Sequence, residues 1–151
     1  MYDSILVATD GSESGTAAAD HAIELAAQFD ATLYGLTVLE SRTDYDNAIV
    51  DPEEVARRRT ERAESLLADL ESAAADVGVA VETAMKSGVS HEEILAAAGE
   101  YDVDAIVVGG QGRSSFRRSL LGSTVDAVVR FTDRPVVVVT GDEDETTSPP
   151  H

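Results

Sequence analysis

Cysteine is absent from the 151-residue chain, which excludes disulfides, thiol catalysis and thiolate metal sites. Histidine is scarce, and His21, His91 and His151 lie too far apart in sequence to form a local metal-binding cluster. No apolar run approaches the ~20 residues that span a bilayer. The opening Met1-Tyr2-Asp3-Ser4 lacks the basic and apolar regions of a signal peptide. A soluble cytoplasmic protein is expected, with no membrane association. Lysine is nearly missing too: Lys86 stands alone, and ten arginines carry the rest of the positive charge. The 11 basic residues face 29 Asp and Glu, a net charge of −18. Such a surface repels nucleic acid and anionic membranes. It resembles the surfaces of proteins from salt-loving organisms, where molar salt screens self-repulsion. An ordinary acidic surface is the plainer alternative, and the single lysine favours the first reading.

What is present suffices for one ordinary domain. Hydrophobic residues make up 43%, near the globular average. Strand and helix patterns alternate. Ser4-Ile5-Leu6-Val7-Ala8 is an apolar run ending at Thr9-Asp10-Gly11-Ser12, and reads as a buried strand followed by a turn. Ala18, Ala22, Leu25, Ala26 and Phe29 recur at helical spacing, predicting an amphipathic helix over about 13–29. Residues 31–39 read as the second strand. A polar loop leads to Asp51-Pro52-Glu53-Glu54, a helix start in which Asp51 caps, Pro52 takes the first position and Glu54 reaches back. That helix runs to about Gly78, and 79–85 alternate as a third strand. Ser90-His91-Glu92-Glu93 is a second capping box, opening a helix with Ile94, Leu95 and Ala98 inward. Ala105-Ile106-Val107-Val108 is the fourth strand, 124–131 a short helix and Pro135-Val136-Val137-Val138-Val139 the last strand. Four consecutive acids and Ser-Pro-Pro predict a disordered tail over 142–151, leaving 1–141 as the domain.

Five strands interleaved with four helices predict an α/β fold, an open doubly wound parallel sheet with helices on both faces. Right-handed crossovers favour the strand order 3-2-1-4-5. The chain then reverses direction across the sheet between strands 1 and 4, and ligands sit at the carboxyl ends of strands flanking such a switch point. The loops to inspect are 9–14 and 109–123.

The second loop, Gly109-Gly110-Gln111-Gly112-Arg113-Ser114-Ser115-Phe116-Arg117-Arg118-Ser119-Leu120-Leu121-Gly122-Ser123-Thr124, leaves a buried strand and enters a helix. Its glycines let backbone N–H groups approach a ligand closely. Ser123 and Thr124 stand at a helix N-terminus, where free N–H groups and the helix dipole favour an anion. Ser114, Ser115 and Ser119 add hydroxyl donors. From Ala105 through Val125 there is no Asp or Glu, while Arg113, Arg117 and Arg118 give a local charge of +3. A surface loop with capping serines is the bland explanation. The strand-loop-helix context, the switch point and the missing acids favour phosphate binding. The P-loop pattern GxxxxGK[ST] is absent, and Asp10-Gly11-Ser12-Glu13-Ser14-Gly15 has the wrong spacing for a dinucleotide fingerprint.

The segment resembles the nucleotide-binding subset of the universal stress protein family, whose motif is Gly, two residues, Gly, nine residues, then Gly-Ser or Gly-Thr. Gly109, Gly112, the nine residues from Arg113 to Leu121 and Gly122-Ser123 match it. The opening strand and turn, Thr37-Val38, Ser87-Gly88-Val89 and the closing Arg134-Pro135 strand look like the family's other landmarks, in order. The resemblance implies ATP in the switch-point crevice, with Mg²⁺ or Mn²⁺. It places Asp10 and Val38 on the adenosine, with Ala8 and Thr9 leading into the site. Ala8 stands where the family often has proline, which bears on the adenine wall. Val108 leads into Gly109, which lies against the ribose, and Gly112, Arg113, Gly122, Ser123 and Thr124 wrap the phosphates. The resemblance also implies a homodimer through the last strand, 135–139.

Asp10 serves equally as a helix cap or a ligand contact by its residue type, and the resemblance favours the ligand. Ser12, Glu13 and Ser14 read as a helix start. His21 flanks an apolar face and His91 faces solvent. Arg57, Arg58, Arg59 and Arg62 amid Glu53, Glu54, Glu61 and Glu64 read as a solvated, salt-bridged face. The loop offers no acid or histidine to serve as a base at a γ-phosphate. A binding and regulatory protein is therefore favoured over an efficient enzyme, with slow ATP hydrolysis or autophosphorylation at Ser114, Ser115 or Ser123 left open. A nucleotidyl transferase of the wider adenine-nucleotide superfamily is the competing class; a nucleotide-free interaction module is disfavoured by the glycines at 109, 112 and 122.

Overall fold

A computed structural model describes residues 2–40, 51–110 and 122–140. Nine elements alternate along it: β1 (Ser4–Ala8), α1 (Glu13–Phe29), β2 (Thr32–Leu39), α2 (Pro52–Asp76), β3 (Val81–Ser87), α3 (Ser90–Tyr101), β4 (Ala105–Gly109), α4 (Ser123–Phe131) and β5 (Val136–Val139). The sheet is parallel in the order β3-β2-β1-β4-β5, as the alternation predicts. The tail from 142 onward lies outside the described residues.

Side-chain alternation divides the core between the two sheet faces. Ile5, Val7, Leu33 and Val107 meet the alanine stripe of α1 (Ala18, Ala22, Ala26) and α2 residues Leu70 and Ala74. On the other face Leu6, Leu36, Ile106 and Val108 meet Ile94, Ala97 and Ala98 of α3 and Val125 and Val128 of α4. Strands buried on both faces explain the unbroken apolar runs. The start of β1 is tied to the start of β4: Asp104 Oδ2 accepts the N–H groups of Asp3 at 2.7 Å and Ser4 at 3.1 Å, the first of them 101 positions away.

Local details depart from the sequence reading in four places. Strand β3 begins at Val81, because the N–H of Val79 donates to the Ala74 carbonyl at 2.9 Å and finishes the turn that ends α2. Asp51 caps α2 as expected, its Oδ1 accepting from the Glu53 N–H at 3.1 Å. Glu54, however, does not reach back; its carboxylate pairs with Arg57 and Arg58 one turn on. The Arg57 guanidinium, with Arg58, holds the Glu54 carboxyl below its ordinary pKa against a smaller opposing effect of desolvation. These groups are exposed and screened, so the pairing adds little stability, and what it adds fades as pH falls through the lowered pKa. Ser90 is not the cap of α3 either; Val89 holds that position and brings no side-chain acceptor. His91 is half-buried rather than solvent-facing, its ring centroid 6.3 Å from that of Phe131. His21 is exposed.

Candidate functional site

At the carboxyl edge of the sheet, β1 stops while its neighbours continue. Its ladder with β2 ends at Ala8↔Leu36, but β2 runs on beside β3 to Leu39↔Ser87. Leu36 accepts from Thr9 on the β1 side and Leu39 accepts from Gly88 on the β3 side. The alternation between them turns the N–H and carbonyl of Val38 toward the space that β1 has left. The register sets Val38 of β2 abreast of Asp10, two residues beyond Ala8. On the other flank Ala8 pairs with Val108, so Gly109 and Gly110 stand abreast of Thr9 and Asp10. The sequence-predicted residues Ala8, Thr9, Asp10, Val38, Val108 and Gly109 thus converge on one notch.

Thr9 is fixed from three directions. Its N–H donates to the Leu36 carbonyl at 3.0 Å, its hydroxyl to the Gly15 carbonyl at 3.3 Å, and its carbonyl accepts from the Thr37 hydroxyl at 3.1 Å. Asp10 emerges from this anchor into solvent. Its Oδ1 accepts from the Ser12 N–H at 3.0 Å and the Ser12 hydroxyl at 2.6 Å. Ser12 Oγ accepts in turn from the Gly15 N–H at 3.0 Å and caps α1. The cap is therefore Ser12, and Asp10 holds the cap in place while its second oxygen projects from the turn. Gly11 reverses the chain at φ +85°, a left-handed conformation that favours glycine. A Cβ on Gly15 would come within 2.7 Å of Asp10 Oδ1.

On the β4 side Val108 is 3% exposed, with its side chain in the core and strands paired on both sides of it, so it backs the notch rather than opening into it. The Gly110 N–H donates to the Val139 carbonyl at 2.8 Å, and its carbonyl accepts from the Gly122 N–H at 2.8 Å. This second bond brings both ends of the glycine loop together. Gly122 is the N-cap of α4, with Ser123 and Thr124 in the first turn, and no side chain of the described residues accepts a hydrogen bond there. By contrast, Ser12 serves α1 and Asp51 serves α2. At α3 the Glu40 carboxylate accepts the Ser90 N–H at 3.2 Å. Gly112 and Arg113, with Ser114, Ser115, Arg117, Arg118 and Ser119, lie outside the described residues.

The sequence reading gave no site role to Ser14, read as helix start, or to Thr37, named only as a landmark beside Val38, and passed over Gly15 and Glu40. A glycine within a first helical turn and a threonine within an apolar strand are both signals of a backbone approached closely or a loop tied down. Glu40 offers no such signal, because its partners come from distant elements. Among the described residues an open groove of about 530 Å³ also runs between α1 and the end of β5. Glu13, Asp20 and Glu24 line it, which makes it a poor seat for a phosphate. It shares Gly11 with the Asp10 turn, but neither Asp10 nor Val38 lines it.

The class of protein is thus an open parallel α/β domain with a notch at its switch point, rimmed by a serine-capped turn, a strand end that runs past β1 and a helix start with no side-chain cap among the described residues. A profile of the universal stress protein family matches residues 1–140. Universal stress protein MJ0531 of Methanocaldococcus jannaschii is 33% identical over 144 residues, covering 92% of this chain and 82% of that protein. The solved structure of MJ0577 superposes with a TM-score of 0.81 at 29% identity, covering 94% of this chain and 98% of that one. A universal stress protein solved in complex with cAMP superposes with a TM-score of 0.69 at 27% identity, covering 92% and 97%. The chain belongs to the universal stress protein family.

Proposed function

We propose that this protein binds ATP in the notch and acts as a nucleotide-dependent dimeric switch in the cytoplasm rather than as an efficient enzyme. The observation that carries the reading is the N-terminus of α4. Its first N–H groups have no side-chain acceptor from the described residues, and it opens directly from the Gly110–Gly122 closure beside the Asp10 turn. Free N–H groups with a helix dipole behind them suit phosphate oxygens. The Val38 N–H and carbonyl suit the edge of an adenine, which presents a donor beside an acceptor. The unengaged Asp10 oxygen suits a ribose hydroxyl. A relative solved in complex with cAMP supports an adenine nucleotide as the kind of ligand. Bound ATP would bring Mg²⁺ or Mn²⁺ on its phosphates, with Asp10 as the nearest carboxylate of the turn. Arg113 of the loop would add charge, and Gly112 close backbone approach.

Two experiments test this reading. Nucleotide released from the purified protein on denaturation should be adenine nucleotide. Gly122→Val should weaken ATP binding roughly tenfold or more, equivalent to one or two lost phosphate hydrogen bonds. Gly122 has φ −65° and ψ 160°, which valine also adopts, so the substitution tests ligand approach and not backbone strain. Equal ATP affinities by calorimetry would remove the phosphate cradle.

Dimerisation rests on β5. It is an edge strand with β4 on one side, and all four of its valines are only half-buried. An uncharged, β-branched edge is an open template for pairing, and two copies related by a two-fold axis cover one another. Light scattering in molar KCl should report a dimer, and Val137→Lys should shift it toward monomer. A wild-type monomer under those conditions rules this out.

A further inference from the structure

We infer that Glu40 is a positioning residue for the nucleobase side of the notch; this rests on the nucleotide-binding reading above. Glu40 follows Val38 by two residues, at the end of β2. Beyond Leu36 the strand has no β1 ladder partner; the Thr37 hydroxyl on the Thr9 carbonyl is the last tie on that side, and the ladder continues on the β3 side alone. Glu40 supplies the missing restraint from outside the sheet. Its carbonyl accepts from the Arg59 guanidinium of α2 at 2.9 Å, and its Oε2 accepts the Ser90 N–H of α3 at 3.2 Å. The two helices pack on opposite faces, so the β2 exit is held from above and below.

The same carboxylate completes α3. The cap residue Val89 has no side-chain acceptor, and a carboxylate at a helix N-terminus is favoured by both the free N–H groups and the dipole. The neighbouring connection is tight: the Gly88 N–H donates to the Leu39 carbonyl at 3.0 Å, at φ +146°. Strand exit, β3–α3 turn and α3 start are therefore one bonded unit, and Val38 is its edge facing the notch. Losing the Glu40 side chain removes the polar tie between the β2 exit and the start of α3, while the core contacts of Leu36 remain, and lets the Val38 backbone drift from the plane in which it meets a base. The phosphate end, built on α4, is unaffected.

The test compares Glu40→Ala and Glu40→Gln in the full chain, with ATP and inorganic triphosphate as separate probes by calorimetry in molar KCl. Glu40→Ala should lose up to about tenfold in ATP affinity, because the bond is internal to the protein and its worth sets only an upper bound on the cost of a mispositioned Val38. Its triphosphate affinity should stay at the wild-type value. Glu40→Gln keeps an oxygen for the Ser90 N–H and should restore ATP binding to within about threefold. Hydrogen exchange supplies a readout that needs no nucleotide: the Leu39, Gly88 and Ser90 amides should exchange faster in Glu40→Ala than in wild type or in the surface control Arg58→Ala. Equal losses for ATP and triphosphate, unchanged ATP binding, or a folded Glu40→Gln protein that fails to recover would each overturn the assignment. If wild type binds neither probe, the nucleotide reading fails on its own, and unchanged exchange at those three amides then overturns the positioning role separately.

Discussion

Gly109→Ala should lower the melting temperature by about 5–10 °C, a loss of ~2–3 kcal/mol. The added Cβ would lie 2.6 Å from the backbone carbon of Ser14 and 2.7 Å from its carbonyl oxygen. Those atoms belong to the first turn of α1, where Ser14 is 6% exposed. Buried backbone cannot swing aside as a long side chain can. Either α1 lifts from β4, opening the core around Ala18 and Val107, or the strand bends at the notch. Gly110→Ala is the control. Its Cβ would find Val138 at 3.4 Å and Thr140 at 3.6 Å, ordinary contact distances, so its melting temperature should move little. Equal melting of Gly109→Ala and wild type in a thermal scan would contradict the packing described for α1. The glycine that the family resemblance assigns to the ribose is thus required by helix packing, whether or not a nucleotide is present.

Raising KCl from 0.1 M to 2 M should increase the melting temperature by on the order of 10 °C, a few kcal/mol of relieved self-repulsion. The source is the charge of −18. The Debye length falls from ~10 Å at 0.1 M to ~3 Å at 1 M, which removes most repulsion between surface acids. Salt also weakens favourable pairs, but those seen are few and exposed: Arg57 with Glu54 and Glu61, Arg58 with Glu54, Arg130 with Asp126, and Arg134 with the nearly bare Asp102. Under the proposed ATP-binding role of Arg113, screening acts oppositely there, so Arg113→Ala should cost less ATP affinity as salt rises. A melting temperature that stays flat or falls would reject the salt-adapted reading and leave the nucleotide reading untouched, since different residues carry the two.

The strand order was legible because each apolar run is bounded by a turn or cap, and right-handed crossovers leave few alternatives. Convergence of the Asp10 turn and Gly109 followed from that order, since residues at the carboxyl ends of neighbouring parallel strands must meet; Val38 was pointed out only by the family resemblance. Helix caps were less legible. Ser90 with Glu93 has the spacing of a capping box, yet the acceptor for Ser90 comes from Glu40, fifty positions earlier. Likewise Glu54 had a choice between the helix start and two arginines one turn away, and local spacing does not rank those options. The role of Gly109 in seating α1 was invisible for the same reason: its neighbour Ser14 is remote in sequence.

The contact of Asp104 with Asp3 and Ser4 bears on how the chain reaches this state. β1 is synthesised first and ends at the centre of the sheet, yet one of its two edges waits for a strand about a hundred residues later. β1, β2 and β3 can pair in the order they are made, each with its neighbour. Closing β4 onto β1 requires the longest loop closure in the fold, and its entropy is lost before the Asp104 bonds and the Val107 and Ile106 contacts repay it. Until then the free edge of β1 is a bare row of amides and carbonyls between two apolar faces. Refolding should accordingly show its slow step at the β1–β4 seam, and Asp104→Ala should retard folding more than it accelerates unfolding.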